Sequence, residues 1–196
     1  MRITSIPPER QPSVRWRNGG GSTREIVRIG PESGYAWRAS LAQVDASGPF
    51  SPFPGYRRWS CLVDGGPLSL HWEDGRQLDL APRLRAHAYP GAPAPQGRLD
   101  GEFALVFNLI AAEHLAEVQL LPRTLVGSMV FFDQARTDWL VYLLGGEASL
   151  RIGDDHYWLG SGHALLLQGE GSGQRAVLDG GGEVILAKVV GAPEAA

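Results

Sequence analysis

The sequence holds one cysteine, Cys61, one lysine, Lys188, and no apolar run approaching the length of a membrane span. A lone cysteine excludes an internal disulfide framework, and its apolar flanks read as those of a small packed hydrophobe. The first ten residues carry no apolar h-region, so the expectation is a cytoplasmic protein without membrane contact. Helical periodicity is almost missing, with only residues 111–117 offering a turn or two. The histidines, at 71, 87, 114, 156 and 163, never form His-x-His, the alternating pair that a metal site on a strand needs. No metal or other cofactor is therefore expected, although alternation puts His71 on the face of Ser69 and Glu73 and so leaves a site built from His71, His87 and a neighbouring acid conceivable. Neither Ser22, Ser40 nor Ser60 sits in a Gly-x-Ser-x-Gly elbow, and no histidine neighbours Cys61 in sequence. The glycines at 19–21 lack the Lys-Ser/Thr and following helix of a phosphate cradle. Paired carboxylates are not evident, and without an aromatic RNA-binding signature or zinc finger no nucleic-acid partner is expected.

What the chain has in quantity is glycine and proline, 26 and 14 residues among 196, which point to many turns. Short β-rich runs bounded by Gly, Pro or Asp recur at 24–29, 37–44, 102–110, 117–121, 163–168 and 184–190. The chain also matches itself at a spacing of 80: Trp59 with Trp139, Gly65-Gly66 with Gly145-Gly146, Ser69-Leu70 with Ser149-Leu150, and Asp74 with Asp154. Each copy reads as an apolar run, a Gly-Gly, a short strand, a tight turn and another strand, which is the order of consecutive antiparallel hairpins. Many short strands at close spacing imply an all-β sandwich or barrel. Charge is uneven, since residues 1–60 hold nine arginines against four acids while the net charge of the chain is −3. The opening third is thus cationic, and arginine is the better bidentate holder of carboxylates.

Three stretches stand out: Trp16-Arg17-Asn18-Gly19-Gly20-Gly21-Ser22-Thr23-Arg24-Glu25-Ile26, then Trp37-Arg38-Ala39-Ser40, then Gly48-Pro49-Phe50-Ser51-Pro52-Phe53-Pro54-Gly55 with Arg58 shortly after. In this order they resemble the HutD/Ves family, motif by motif over the first sixty residues. Beyond residue 60 the likeness rests on architecture. One position departs from the family pattern, Arg57, where an acidic residue commonly precedes the arginine. The resemblance implies a bicupin, two jelly-roll β-barrels of the RmlC-like type. The expected boundaries are 1–110 for a first barrel with a ligand pocket and 111–196 for a second, with strands exchanged between them left open. It further implies an accessory or regulatory factor of histidine utilisation.

Within the first barrel, strand alternation puts Arg38 and Ser40 on one face and leaves Asn108 as the polar exception in the apolar run 102–110. A buried amide without partners costs roughly 1–3 kcal/mol, and an arginine pointing into a barrel calls for an anion or an acid. The expected ligand is a small carboxylate such as N-formylglutamate or urocanate. Arg38 and Arg58 would grip its oxygens, Asn18 and Asn108 would read an amide or formyl group, Trp16, Phe50 and Phe53 would wall it, Ser40 would line it, and Arg24 and Glu25 would set the geometry. Two other functions stay open: a metal-independent cupin enzyme, an isomerase or hydrolase with Glu25 as general base, and a protein-interaction module. Whether two chains pair as a homodimer is also open.

Overall fold

The computed structural model describes residues 1–31 and 33–192. Their only helical element is a single 3-10 turn, Pro8–Arg10. The strands are β1 (Arg2–Ile6), β2 (Ser13–Arg15), β3 (Gly21–Ile29), β4 (Trp37–Val44), β5 (Gly48–Pro49), β6 (Tyr56–Gly65), β7 (Leu68–His71) and β8 (Gln77–Asp79). They continue as β9 (Ala86–Pro90), β10 (Gln96–Leu99), β11 (Ala104–Ala112), β12 (Glu117–Phe132), β13 (Thr137–Ile152), β14 (Asp155–Leu159), β15 (Ala164–Gln168) and β16 (Arg175–Val190). The helical turn expected over 111–117 is not formed. Ala111 and Ala112 finish β11, and Glu117 opens β12.

The chain divides into two units: residues 11–113, and residues 1–10 together with the chain from His114 onward. The first strand falls in the second unit because β1 pairs antiparallel with β15, from Arg2 opposite Gln168 to Ile6 opposite Ala164. In the 11–113 unit, one sheet runs β2-β3-β4-β11-β6-β9 and another β5-β10-β7-β8. In the other unit the order is β1-β15-β13-β16-β12, with β14 added to β13.

The internal repeat reappears as topology. In the first copy β9 pairs β6 and β8 pairs β7, while in the second β15 and β14 pair the two ends of β13. What differs is how the strands bend. Gly66 and Pro67 break the first copy into β6 and β7, whereas the second runs through Gly145 and Gly146 as one strand with a register shift between Leu143 and Gly145. Both units are cupin rolls, so the chain is the nearly all-β bicupin that the family resemblance implies.

Within the unit of residues 1–10 and 114 onward, alternate inward residues of β12 to β16, among them Leu125, Val141, Leu143, Leu150, Leu165, Leu178 and Val184, form a closed apolar core. The 11–113 unit is filled differently. Val44, Leu62, Leu68, Leu70, Leu80, Ala104 and Val106 make an apolar cluster at one end. Farther along the same faces of β4, β6 and β11 the residues turn polar, at Ser40 and Arg38, Ser60 and Arg58, and Asn108. That change of polarity along three neighbouring strands places the site. Cys61 points to the other face and is fully buried; burial pushes its thiol up to about 11, so it stays protonated and sealed from reagents.

One buried carboxylate anchors the second unit. The Asp133 side chain is wholly buried and accepts hydrogen bonds from the backbone N–H of Glu170 (2.7 Å) and Ser172 (3.0 Å) and from the Ser172 hydroxyl. Burial by itself would raise its pKa. Hydrogen bonds from the α-amino group of Met1, the Ser172 hydroxyl and those amides outweigh this and hold it well below the usual carboxylate range. A lowered native pKa adds stability that is complete above the unfolded-state value of about 4 and is lost as pH falls below it. Asp133→Asn should therefore cost about 3 kcal/mol at pH 7, a drop in Tm of roughly 6–12 °C. The difference between the two proteins should narrow in melts at pH 3.

Candidate functional site

The cavity of the 11–113 unit has a volume of about 780 Å³ and opens beside the β2–β3 hairpin and the segment from Pro49 to Phe53. Its floor is the inner face of the larger sheet, whose pairing sets the polar groups in rows. Glu25 lies opposite Ser40, Ser40 opposite Asn108, and Asn108 opposite Ser60. In the next row Arg28 lies opposite Arg38, Arg38 opposite Ile110, Ile110 opposite Arg58, and Arg58 opposite Tyr89.

Of the residues singled out in the sequence, Trp16, Asn18, Glu25, Arg38, Ser40, Phe50, Phe53, Arg58 and Asn108 line this cavity. Arg24 does not: it is exposed, because neighbours on a strand point to opposite faces and Thr23 and Glu25 take the inner one. The alternation that placed Arg38 should have excluded it. Arg28 is the residue that alternation misses. A bulge between Glu25 and Val27 inserts Ile26, so Glu25 and Arg28, three apart, both reach the cavity. Arg57, the departure from the family pattern, is exposed and sits 5.9 Å from the Trp59 ring centroid, away from the lining.

The three glycines build the hairpin and contribute nothing to the lining. Gly19 turns with φ +72°, and Gly21 is required by close approach, since a Cβ there would lie 2.2 Å from the Gln43 carbonyl and 3.0 Å from the Trp16 ring. The Trp16 indole lies over Gly21 and donates to Thr23 Oγ1 at 2.8 Å, which fixes it as a wall. Phe50 is seated in the same manner on Gly97, where an added Cβ would meet the ring at 2.5 Å. Asn18 stands at the exposed rim, its Oδ1 accepting from Gly20 N at 3.1 Å.

The charges are not evenly matched. Glu25 Oε2 accepts from Arg28 Nη2 at 2.6 Å and lies 3.8 Å from Arg38 Nη1. Arg58 is 4% exposed and has no carboxylate partner among the described residues. Its Nη2 donates to Asn108 Oδ1 over 3.4 Å, while Nε and Nη1 are buried without a partner, as is Arg38 Nε. Aromatic faces surround it, with ring centroids of Phe50, Phe53 and Tyr89 at 5.3, 5.4 and 5.4 Å from Cζ. Burial, first, pushes the Arg58 guanidinium below its ordinary pKa, and Arg38 adds to this against the opposing influence of Tyr89. A guanidinium stays charged even so.

No group of three His, Cys, Asp or Glu residues that could hold a metal occurs among the described residues. His71, considered as a ligand, shares a 2.8 Å hydrogen bond with Ser69 Oγ. Among these residues no helix is long and apolar enough to cross a membrane.

The sequence model of the HutD family matches residues 9–186. The chain belongs to the HutD family. Among curated proteins, Protein Ves of Escherichia fergusonii is 33% identical over 119 residues, 59% of this chain and 62% of that protein, so the match spans about three fifths of the relative's length. HutD from Pseudomonas fluorescens SBW25 superposes with a TM-score of 0.75 at 27% identity, covering 98% of this chain and all of that one. A conserved protein of unknown function from Pseudomonas aeruginosa PAO1 gives 0.86 at 25% identity, with coverage of 98% and 100%. The arginine-lined cavity therefore lies within the region that defines a HutD protein.

Proposed function

We propose that this HutD protein is a non-catalytic binder of a small carboxylate, serving as an accessory or regulatory factor of histidine utilisation. The observation that carries the reading is Arg58, a guanidinium almost wholly out of water with two N–H-bearing nitrogens aimed at no protein acceptor. An isolated charge moved into a protein interior costs several kcal/mol, and an anion brought to it recovers much of that through charge-assisted hydrogen bonds in a dry site. Arg38 supports the same reading, because its ion pair to Glu25 is long and its Nε is free to take a second acceptor.

Ligands of the stated pathway that fit are N-formylglutamate and urocanate. Both carry a carboxylate for Arg58, with an apolar or amide portion that the rings of Phe50, Phe53 and Trp16 would cover. Glu25 orients Arg28 and Arg38 in this scheme, a role that its contacts support better than proton abstraction. Calorimetric titration with N-formylglutamate, urocanate, histidine and glutamate should give saturable heat with at least one of them. That heat should fall at least tenfold in affinity in Arg38→Ala. No heat from any of the four would dismiss the proposal.

A further inference from the structure

Ser60 and Tyr89 do not line the cavity, yet they reach the cationic group at its floor. Asn108 Nδ2 donates to the Val106 carbonyl at 3.2 Å, and its Oδ1 faces Arg58 Nη2 at 3.4 Å and Ser60 Oγ at 2.8 Å. The amide can stand only this way, since the flipped form would set oxygen against the Val106 carbonyl and NH2 against a guanidinium. Oδ1 can only accept, so the Ser60 hydroxyl must donate to it. Ser60 Oγ and Tyr89 O lie 2.8 Å apart, and with its own proton committed Ser60 can only accept, so Tyr89 donates. The hydrogen bonds thus run in one direction, from Tyr89 to Ser60 to Asn108, whose oxygen also takes Arg58 Nη2. The circuit closes through the Tyr89 ring, which lies against the guanidinium at 5.4 Å.

We infer that Ser60 and Tyr89 are positioning residues: through Asn108 they fix the rotation of the Arg58 guanidinium, which lines the cavity and keeps Nε and Nη1 buried without a protein acceptor. The three aromatic faces cannot do this alone, because cation–π attraction depends on how near the charge lies to the ring and not on how the guanidinium is rotated. Three strands, β6, β9 and β11, supply the members, so the angle is set by sheet register rather than by a loop. The inference rests on the reading of the cavity as a carboxylate site only for its effect on affinity; the ordering of Arg58 is a property of the ligand-free protein.

The test uses the full chain labelled with 15N-arginine, the Arg58 Nε–H resonance being assigned by its loss in Arg58→Met. Acetate and N-formylglutamate are the probes, and the variants are Tyr89→Phe, Ser60→Ala and Ser60→Thr. In the wild type the Arg58 Nε–H signal should be sharp and slow to exchange before any probe is added. Tyr89→Phe keeps the ring face and loses the hydroxyl, and Ser60→Ala breaks the chain at its middle. Both should speed that exchange at least tenfold and weaken probe binding about tenfold, with Tm little changed, whereas Ser60→Thr should behave as wild type. Unchanged exchange and affinity in both variants would overturn the inference while leaving the carboxylate site standing. Faster exchange in the variants, with no shift of the wild-type signal by either probe, would uphold the ordering of Arg58 and remove the carboxylate reading instead.

Discussion

Replacing Arg58 by methionine should leave a protein that is at least as stable as the wild type and unable to hold a carboxylate. Methionine fills the aliphatic volume and can lie against the same three rings, those of Phe50, Phe53 and Tyr89. It removes a charge that no carboxylate among the described residues neutralises, and replacing buried ionic groups with well-packed apolar ones is often neutral or stabilising by about 1–4 kcal/mol. The lost stacking and the hydrogen bond to Asn108 offset part of that gain. The expected net is about 1 kcal/mol, a rise in Tm of roughly 2–4 °C. Affinity should move the other way. Deleting one member of a buried charge-assisted contact costs about 2–5 kcal/mol, so binding should weaken at least about 30-fold. Calorimetry on one preparation, by scanning and by titration, reads both. A large fall in Tm would mean that Arg58 is a structural cation already satisfied by the protein, and the account would have to be abandoned.

Asn108→Asp should act on the same charge by neutralising it from within the protein. The substitution keeps the side-chain shape and puts a carboxylate where Oδ1 now faces Arg58 Nη2 and receives the Ser60 hydroxyl. An internal counter-ion would then compete with any ligand at an effective concentration that a free carboxylate cannot match. The second carboxylate oxygen would face the Val106 carbonyl where a donor now stands, a cost of at least about 1–3 kcal/mol that the new ion pair has to meet. The expected outcome is a Tm within a few degrees of wild type and an affinity at least about 30-fold weaker, measured by differential scanning and by titration with N-formylglutamate. Retained affinity would show that the ligand does not depend on an unneutralised Arg58. Asn108→Leu should separate the two effects, since it removes the tether without adding charge.

Both predictions depend on features that are unevenly legible in the sequence. Alternation gave β4 as residues 37–44, and hence Arg38 and Ser40 on one face, because that run is bounded by clear breakers and carries no bulge. The strand expected over 117–121 in fact runs to Phe132. Pro122 reads as an end to it, but β12 is the edge of its sheet and pairs only with β16, the kind of strand in which a proline is tolerated. The glycines at 180–182 likewise read as a loop. They instead lie within β16, with φ of +154° and +136° at Gly180 and Gly182, and stay paired to β12 and β13.

The site shows the same division. Local order predicts which residues share a face until a bulge intervenes, and the bulge beside Glu25 is what hid Arg28. Asn108 is visible in the sequence as the polar exception in an apolar strand, where the expected role is contact with a ligand amide. The structure commits its oxygen to Ser60 and Arg58 and its NH2 to Val106, contacts with residues up to 50 positions away that no local pattern reveals. Tyr89 is farther still from legibility, since nothing around it in sequence marks its hydroxyl as a donor to Ser60.

The central claim is that a carboxylate completes Arg58, and a crystal structure of the protein with saturating N-formylglutamate would test it most directly. The expected result is a carboxylate within hydrogen-bond distance of Arg58 Nε or Nη1, enclosed by Phe50, Phe53 and Trp16, at full occupancy. A carboxylate found only on Arg15 and Arg17, two exposed arginines that also line the cavity, with the floor holding nothing but water, would contradict it.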